Sequence, residues 1–295
     1  MQRREVAFVD ELRKLRLRYQ EDRYLFISGK TVEGLLLKMG ATAVDFDRLR
    51  HVSEATLRRD PTLPFRRTRN GRYCVDAKNG EVFRLEDQSF VLSGDEDFVR
   101  HDSGILRRFD PIGEELESNT AFVALMRLKA ALVAEMEVLR RPNLDYGQDA
   151  NICTVFNIRT TTSRELAGEP ALEGVHSDGV DHTMSTFLGS ENMTRGSART
   201  FLHDRRERNG IRWHEADPAL VRANYRHDDF LDTLLVVDHE FKHSVTPLAQ
   251  EDQDLPSTRD VLIFFTRRPY AATHRFFDSE QAEKAHPNFP ERWEL

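Results

Sequence analysis

The chain has 295 residues, 39% hydrophobic and 32% charged, which describes a soluble globular protein with material for a sizeable core and excludes a disordered or fibrous one. A net charge of −7 argues against a nucleic-acid groove as the main working surface, and no apolar run is long enough to span a membrane. Two cysteines, Cys74 and Cys153, cannot form a disulfide framework and read as small buried residues; with the charged start Met1-Gln-Arg-Arg-Glu5 they predict cytoplasmic residence.

Along the chain, Glu5 to Asp22 carries Val9, Leu12, Leu15 and Leu17 among charges and predicts an amphipathic helix. Tyr24 to Ile27 reads as a short strand, Thr31 to Met39 as a helix capped by Thr31 and stopped by Gly40, and Asp45 to Arg59 as a further helix ended by Pro61. The basic run Arg58 to Arg72 and the acidic stretch Glu81 to Asp102 read as solvated surface. Short β pieces with Asn-Gly and Ser-Gly turns are expected from Tyr73 to Phe109, then a helix from Glu117 to Arg140 stopped by Pro142. Strand signals follow at Ile152–Thr160, Thr183–Leu188, Ala198–Leu202, Leu231–Val237 and Val261–Thr266. Helices first and strands afterwards predict an α+β chain: a barrel-like antiparallel core at 146–270, a helical and β wrap at 1–145 and a C-terminal extension at 271–295, together one domain. The charged segment Ser190 to Tyr225 reads as a lid or an exposed excursion.

The chemistry concentrates in His176-Ser-Asp178, His243 and Arg259. Two imidazoles and one carboxylate suit a non-haem Fe(II) facial triad, which leaves positions open for a chelating 2-oxoacid and for dioxygen. A lone His-x-Asp is weak evidence, and His227-Asp-Asp229 is a second copy. Spacing separates them: about 65 residues with several strands lie between Asp178 and His243, whereas His227 precedes His243 by about 16, too few for the chain to cross a barrel and return. His239-Glu-Phe-Lys-His243 also matches the zinc-hydrolase pattern H-E-x-x-H, but that pattern works only on a helix, and the flanking Thr233-Leu-Leu-Val-Val237 and Ser244-Val-Thr-Pro247 are β-like. In an extended segment His239 would share the face of Phe241 and His243.

The segments Gly174-Val-His-Ser-Asp-Gly-Val-Asp181 and His243-Ser-Val-Thr-Pro-Leu248 resemble the iron-binding segments of 2-oxoglutarate-dependent dioxygenases, in particular the bacterial isoleucine 4-hydroxylase-like free-amino-acid hydroxylases. The resemblance covers roughly 152–268. It implies a double-stranded β-helix (jelly-roll, cupin-like) core with the N-terminal helices packed around it, and Fe(II) held by His176, Asp178 and His243. It further implies 2-oxoglutarate bound at its far carboxylate by Arg259, with O2 as second co-substrate. The implied substrate is a small free amino acid or cyclic imino acid; a peptide or carrier-bound aminoacyl group is the alternative. Arg159 is the candidate partner for the substrate carboxylate, Asp181 for its ammonium group and Asn157 for either end. Two departures, Ser177 within the motif and His182-Thr183 after it, put the substrate more than the metal in question.

Overall fold

The computed structural model describes residues 2–56, 58–91, 103–274, 284–289 and 291–295. The chain runs α1 (Gln2–Asp22), β1 (Tyr24–Ile27), α2 (Gly29–Lys38), α3 (Ala43–Thr56), β2 (Arg66–Asp76), β3 (Glu81–Arg84), β4 (Asp110–Pro111), α4 (Glu114–Glu117) and α5 (Thr120–Val133). It continues through β5 (Ala150–Thr162), β6 (His182–Glu191), β7 (Thr200–Asp204), β8 (Val221–Tyr225), β9 (Thr233–Val237), β10 (Phe241–Val245), β11 (Ser257–Arg267) and β12 (Arg292–Glu294). No described helix is long and apolar enough to cross a membrane.

The strands form two sheets. The larger has the order β1-β9-β6-β11-β5-β2-β3-β12, antiparallel throughout except for short β4, which runs parallel to β2; the smaller is β10-β7-β8. Strand alternation gives the large sheet two apolar faces. On β5, Cys153 and Val155 join the main core with the helices, while Phe156 and Ile158 face the other way; on β11, Leu262 and Phe264 pack on the helices while Val261, Ile263 and Phe265 face away. Helix α5 lies in the middle of the first layer with ten buried side chains, and its N-terminus is fixed by Asn119, whose side chain accepts from the backbone N–H groups of Ala121 and Phe122. A cavity separates the second face from the small sheet, and Leu202, Leu234 and Val236 pack together where the two sheets meet.

Several expectations change. The helix expected to reach Arg140 ends at Val133, and Glu135 adopts φ 56°, so the chain leaves the helix well before Pro142. Helix α2 begins at Gly29, with Ser28 rather than Thr31 before it. Ser190 to Tyr225 is neither lid nor excursion, because it supplies β7 and β8 of the small sheet. The basic run is solvated surface only in part: Arg58, Arg59 and Arg67 are exposed, but Arg66 and Arg72 lie on one face of β2 toward the cavity, and Arg69 on the opposite face pairs with Glu115 at 2.5 Å. Parts of the expected acidic stretch and C-terminal extension, 92–102 and 275–283, lie outside the described residues.

One buried charge cluster anchors the β2–β3 hairpin. Arg84, 1% exposed, pairs with Glu117 from α4, and both contact the Tyr73 hydroxyl, at 3.2 and 2.7 Å respectively. Position 71 is glycine because a Cβ there would lie 2.5 Å from Arg84 Nη1. Removing Glu117 leaves buried Arg84 with only the more exposed Asp87, 2.8 Å from Nη2, so Glu117→Leu is expected to cost about 3 kcal/mol, read as a lowered denaturation midpoint.

Candidate metal centre

The loop from Gly174 to Asp181 brings the first two ligand candidates to the mouth of the sheets. Gly174 sits at φ +76° with its carbonyl turned to His176; a Cβ there would lie 2.4 Å from the Ile211 carbonyl oxygen, so the approach requires glycine. His176 and His243 then form an antiparallel bridge, exchanging both backbone hydrogen bonds at 3.0 and 2.8 Å. Directly opposed residues share a face, which brings the two imidazoles together with ring centroids 4.4 Å apart and planes tilted by 53°.

Asp178 completes the cluster. One carboxylate oxygen is 3.3 Å from His176 Nε2 and the other 3.5 Å from His243 Nε2, and the three ligating atoms lie within 4.8 Å of one another. An octahedral ion with donors about 2.1 Å away places cis donors about 3 Å apart, close to these separations. The surroundings aim each ligand. His176 Nδ1 hydrogen-bonds the Gly174 carbonyl at 2.9 Å, leaving Nε2 for the metal, and Thr183 Oγ1 donates to Asp178 at 2.9 Å. Buried Asp238 accepts from the Gly179 N–H at 3.1 Å and lies 3.8 Å from His243 Nδ1.

The electrostatics favour a cation. Burial alone would raise the Asp178 carboxyl, but His243 and His176 overcome it and hold it down to about 2. Burial pushes His243 down to about 4, so it is neutral and ready to ligate. Burial opposes charge on His176 as well, yet Asp178 and Glu173 hold it up to about 9, and a divalent ion would displace that proton.

Arg259 opens into the same cavity, which has a volume of about 530 Å³. It is 6% exposed, and its guanidinium has neither ion pair nor hydrogen bond with any described residue. Its neighbour Asp260 points to the opposite face of β11, where Arg159 holds it through two hydrogen bonds of 2.8 and 2.6 Å. Burial lowers Arg259 to about 10, which still leaves it a cation at neutral pH. A buried, uncompensated guanidinium is costly unless an anion joins it.

The structure therefore brings His176, Asp178, His243 and Arg259 together and leaves three substrate candidates outside. Asn157 and Arg159 are on the helix-facing side of β5; Asn157 Oδ1 accepts from Ser53 Oγ of α3 at 2.9 Å, and Arg159 is committed to Asp260. Asp181 is also turned away, accepting from the Tyr146 hydroxyl at 2.7 Å and the Arg268 N–H at 2.9 Å. In their place Arg66, Arg72, Arg107, Arg267 and Glu173 line the cavity. The signal for the first two was the alternation Arg66, Thr68, Asn70, Arg72, a strand with one polar face.

The zinc-hydrolase pattern does not form a helical site. Asp238–Glu240 is a single 3-10 turn running into β10, so His239 does not share an extended face with His243. Glu240 is engaged by Arg23 at 2.7 Å and by the Leu139 N–H at 3.2 Å. Glu240→Gln is expected to leave turnover within about threefold of wild type in a steady-state assay, since the side chain touches neither metal ligand nor cavity.

A family model described as 2OG-Fe dioxygenase matches residues 52–265. The chain belongs to this family. It is 43% identical over 277 residues to the bifunctional enzyme flvA of Aspergillus flavus, covering 94% of this chain and 33% of flvA, so the dioxygenase spans about a third of the length of that curated relative. It is 41% identical to the solved Fe(II)/α-ketoglutarate-dependent dioxygenase TqaL, with a TM-score of 0.84 over 98% of this chain and 96% of that one. The structure of IDO from Bacillus thuringiensis shares the fold at 13% identity, with a TM-score of 0.66 over 87% of this chain and 99% of that one. The dioxygenase is thus an enzyme using Fe(II), 2-oxoglutarate and O2, and its donor set and free buried cation fit those groups.

Proposed function

We propose that the dioxygenase hydroxylates an sp³ carbon of a free amino acid or cyclic imino acid, as 2-oxoglutarate is converted to succinate and CO2. In this reading His176, Asp178 and His243 hold the iron, Arg259 binds the far carboxylate of 2-oxoglutarate, and the two sheets enclosing the cavity are those of a double-stranded β-helix in one domain. The iron, when bound, supplies activation of dioxygen for attack on a C–H bond. The observation that carries the reading is one cavity holding the triad, Arg259 and a second set of charges of both signs. Glu173 lines the same cavity as His176 and His243, and from there it would accept a substrate ammonium group. The arginines of the wall would take the substrate carboxylate, and Phe156, Ile158, Ile263 and Phe265 offer the aliphatic part an apolar surface. A volume of about 530 Å³ fits a five-carbon diacid beside a small substrate.

The test is a panel of free amino and imino acids beside their carrier-tethered aminoacyl forms, scored by succinate formation and by the mass of the product. Succinate coupled to a hydroxylated free amino acid is expected; turnover of tethered forms alone would overturn the reading. Glu173→Gln is expected to raise the KM of the amine substrate about tenfold, with little change in half-saturation by 2-oxoglutarate.

A further inference from the structure

Lys129 belongs to the buried face of α5 and is 3% exposed, yet no carboxylate among the described residues pairs with it. Its ammonium group donates instead to the Phe264 carbonyl at 3.0 Å, to Thr266 Oγ1 and to the Cys153 sulfur at 3.8 Å. Cys153, on β5, is fully buried. The metal centre uses neither this amine nor this thiol. Strand register fixes where the pair lies: Thr266 of β11 stands opposite both Cys153 of β5 and His182 of β6. The adjacent residues point to the other face, where Thr154 and Phe265 line the cavity, and Phe265 stands opposite Thr183, which hydrogen-bonds Asp178. Sulfur and amine are thus one sheet thickness behind the metal end of the cavity, where dioxygen is consumed.

We propose that Cys153 and Lys129 form an oxidative modification site, in which peroxide joins the sulfur to the nitrogen and so ties α5 to β5. The sulfur is oxidised by two electrons and the peroxide is reduced. Peroxide transfers one oxygen to Sγ as its O–O bond breaks, giving a sulfenic acid and water. The unprotonated amine then attacks Sγ: an S–N bond forms, the S–O bond breaks, and hydroxide leaves with the amine proton as a second water. A thiol reverses the link by attacking Sγ and expelling the amine. Contact favours the amine over a second oxidation, because Nζ already touches the sulfur while any further peroxide must enter a closed core. Burial is the larger influence on Lys129 and lowers it to about 8, with Cys153 opposing, so part of the amine is unprotonated at neutral pH. The link also removes a cation from an apolar core, where an ammonium without a carboxylate is costly. Cys74 does not compete, since it packs with Phe83, Leu85 and Ile152 on the opposite face of the sheet from Cys153.

The measurement is made on the full chain carrying Cys74→Ala, which leaves Cys153 as its one thiol, with Zn(II) in place of redox-active iron. Hydrogen peroxide is the probe, and intact mass and a proteolytic peptide map are the readouts. A loss of about 2 Da, a peptide pair joining Cys153 to Lys129, and reversal of both by dithiothreitol are expected. Lys129→Met, which fills the same space without an amine, should stop at the sulfenic acid, a gain of about 16 Da that dimedone captures. Lys129→Arg should also stop there, because a permanently charged guanidinium is no nucleophile, and it keeps the comparison open should Lys129→Met not fold. A chain that retains Lys129 yet gains about 16 or 32 Da without the joined peptides would overturn the assignment. A Cys153 thiol that survives peroxide would overturn it as well.

Discussion

Alanine at His176, Asp178 or His243 is expected to lower 2-oxoglutarate turnover by at least about 1000-fold, equivalent to about 4 kcal/mol of lost transition-state stabilisation. The three positions are not equivalent in charge. Two imidazoles and one carboxylate leave an Fe(II) site with one net positive charge, suited to an anionic chelating co-substrate. Asp178→Ala removes the only negative ligand, and His176→Ala or His243→Ala opens an extra position to water. The fold should survive each change, because the bridge between positions 176 and 243 is made by backbone groups that alanine also carries. An unchanged circular dichroism spectrum with loss of the anaerobic Fe(II)–2-oxoglutarate band and of succinate formation is the expected result. Turnover within tenfold of wild type in any of the three would remove that residue from the ligand set. The supporting contact should matter less: Thr183→Val, which leaves Asp178 without its 2.9 Å donor, is expected to weaken metal binding by about 10–100-fold.

The chain discloses its candidate metal site more readily than the lining of its cavity, for a physical reason. His176, Asp178 and His243 are legible because an octahedral ion requires a fixed donor set, and because about 65 residues allow the return that the His176–His243 bridge makes. Arg259 is legible as the cation opening an apolar strand. Two of the substrate candidates, Asn157 and Arg159, lie away from the cavity because β5 is buried on both faces: Ile152-Cys-Thr-Val-Phe-Asn-Ile-Arg159 alternates between a helix-packed core and a cavity wall that are both apolar. Hydrophobic alternation reports register only where one face meets water, so nothing in that segment shows that Thr154, Phe156 and Ile158 are the cavity-facing set. Asn157 and Arg159 then look like pocket residues although they serve α3 and Asp260. The reverse error hides Arg66 and Arg72, since charges at alternate positions read as a solvated edge until β5 and β3 are known to flank β2. Helix α5 is identified correctly but its end is not, because Glu135 takes a left-handed conformation without any glycine to announce it.

Arg259→Leu is expected to raise half-saturation by 2-oxoglutarate at least about 100-fold, close to 3 kcal/mol, while leaving Fe(II) binding intact. The size follows from burial. The guanidinium is 6% exposed, the nearest acid in sequence is committed to Arg159 on the other face of the sheet, and no described residue makes an ion pair or side-chain hydrogen bond with it. An arriving carboxylate therefore meets a desolvated cation with unspent donors, where a charge-assisted pair is worth several times its value in water. Arg259→Lys separates charge from geometry: a lysine restores the positive charge but not the two-pronged fork, so it should recover only part of the loss. Because burial lowers Arg259 only to about 10, its charge is fully present at and below neutral pH, and co-substrate binding should show no loss from this group between pH 6 and 8. The probe 2-oxovalerate supplies the control, since a ligand without the far carboxylate gains nothing from the guanidinium. Arg259→Leu should bring the two 2-oxoacids to similar affinities, and a persistent strong preference for 2-oxoglutarate in that variant would place its carboxylate on another cation of the cavity.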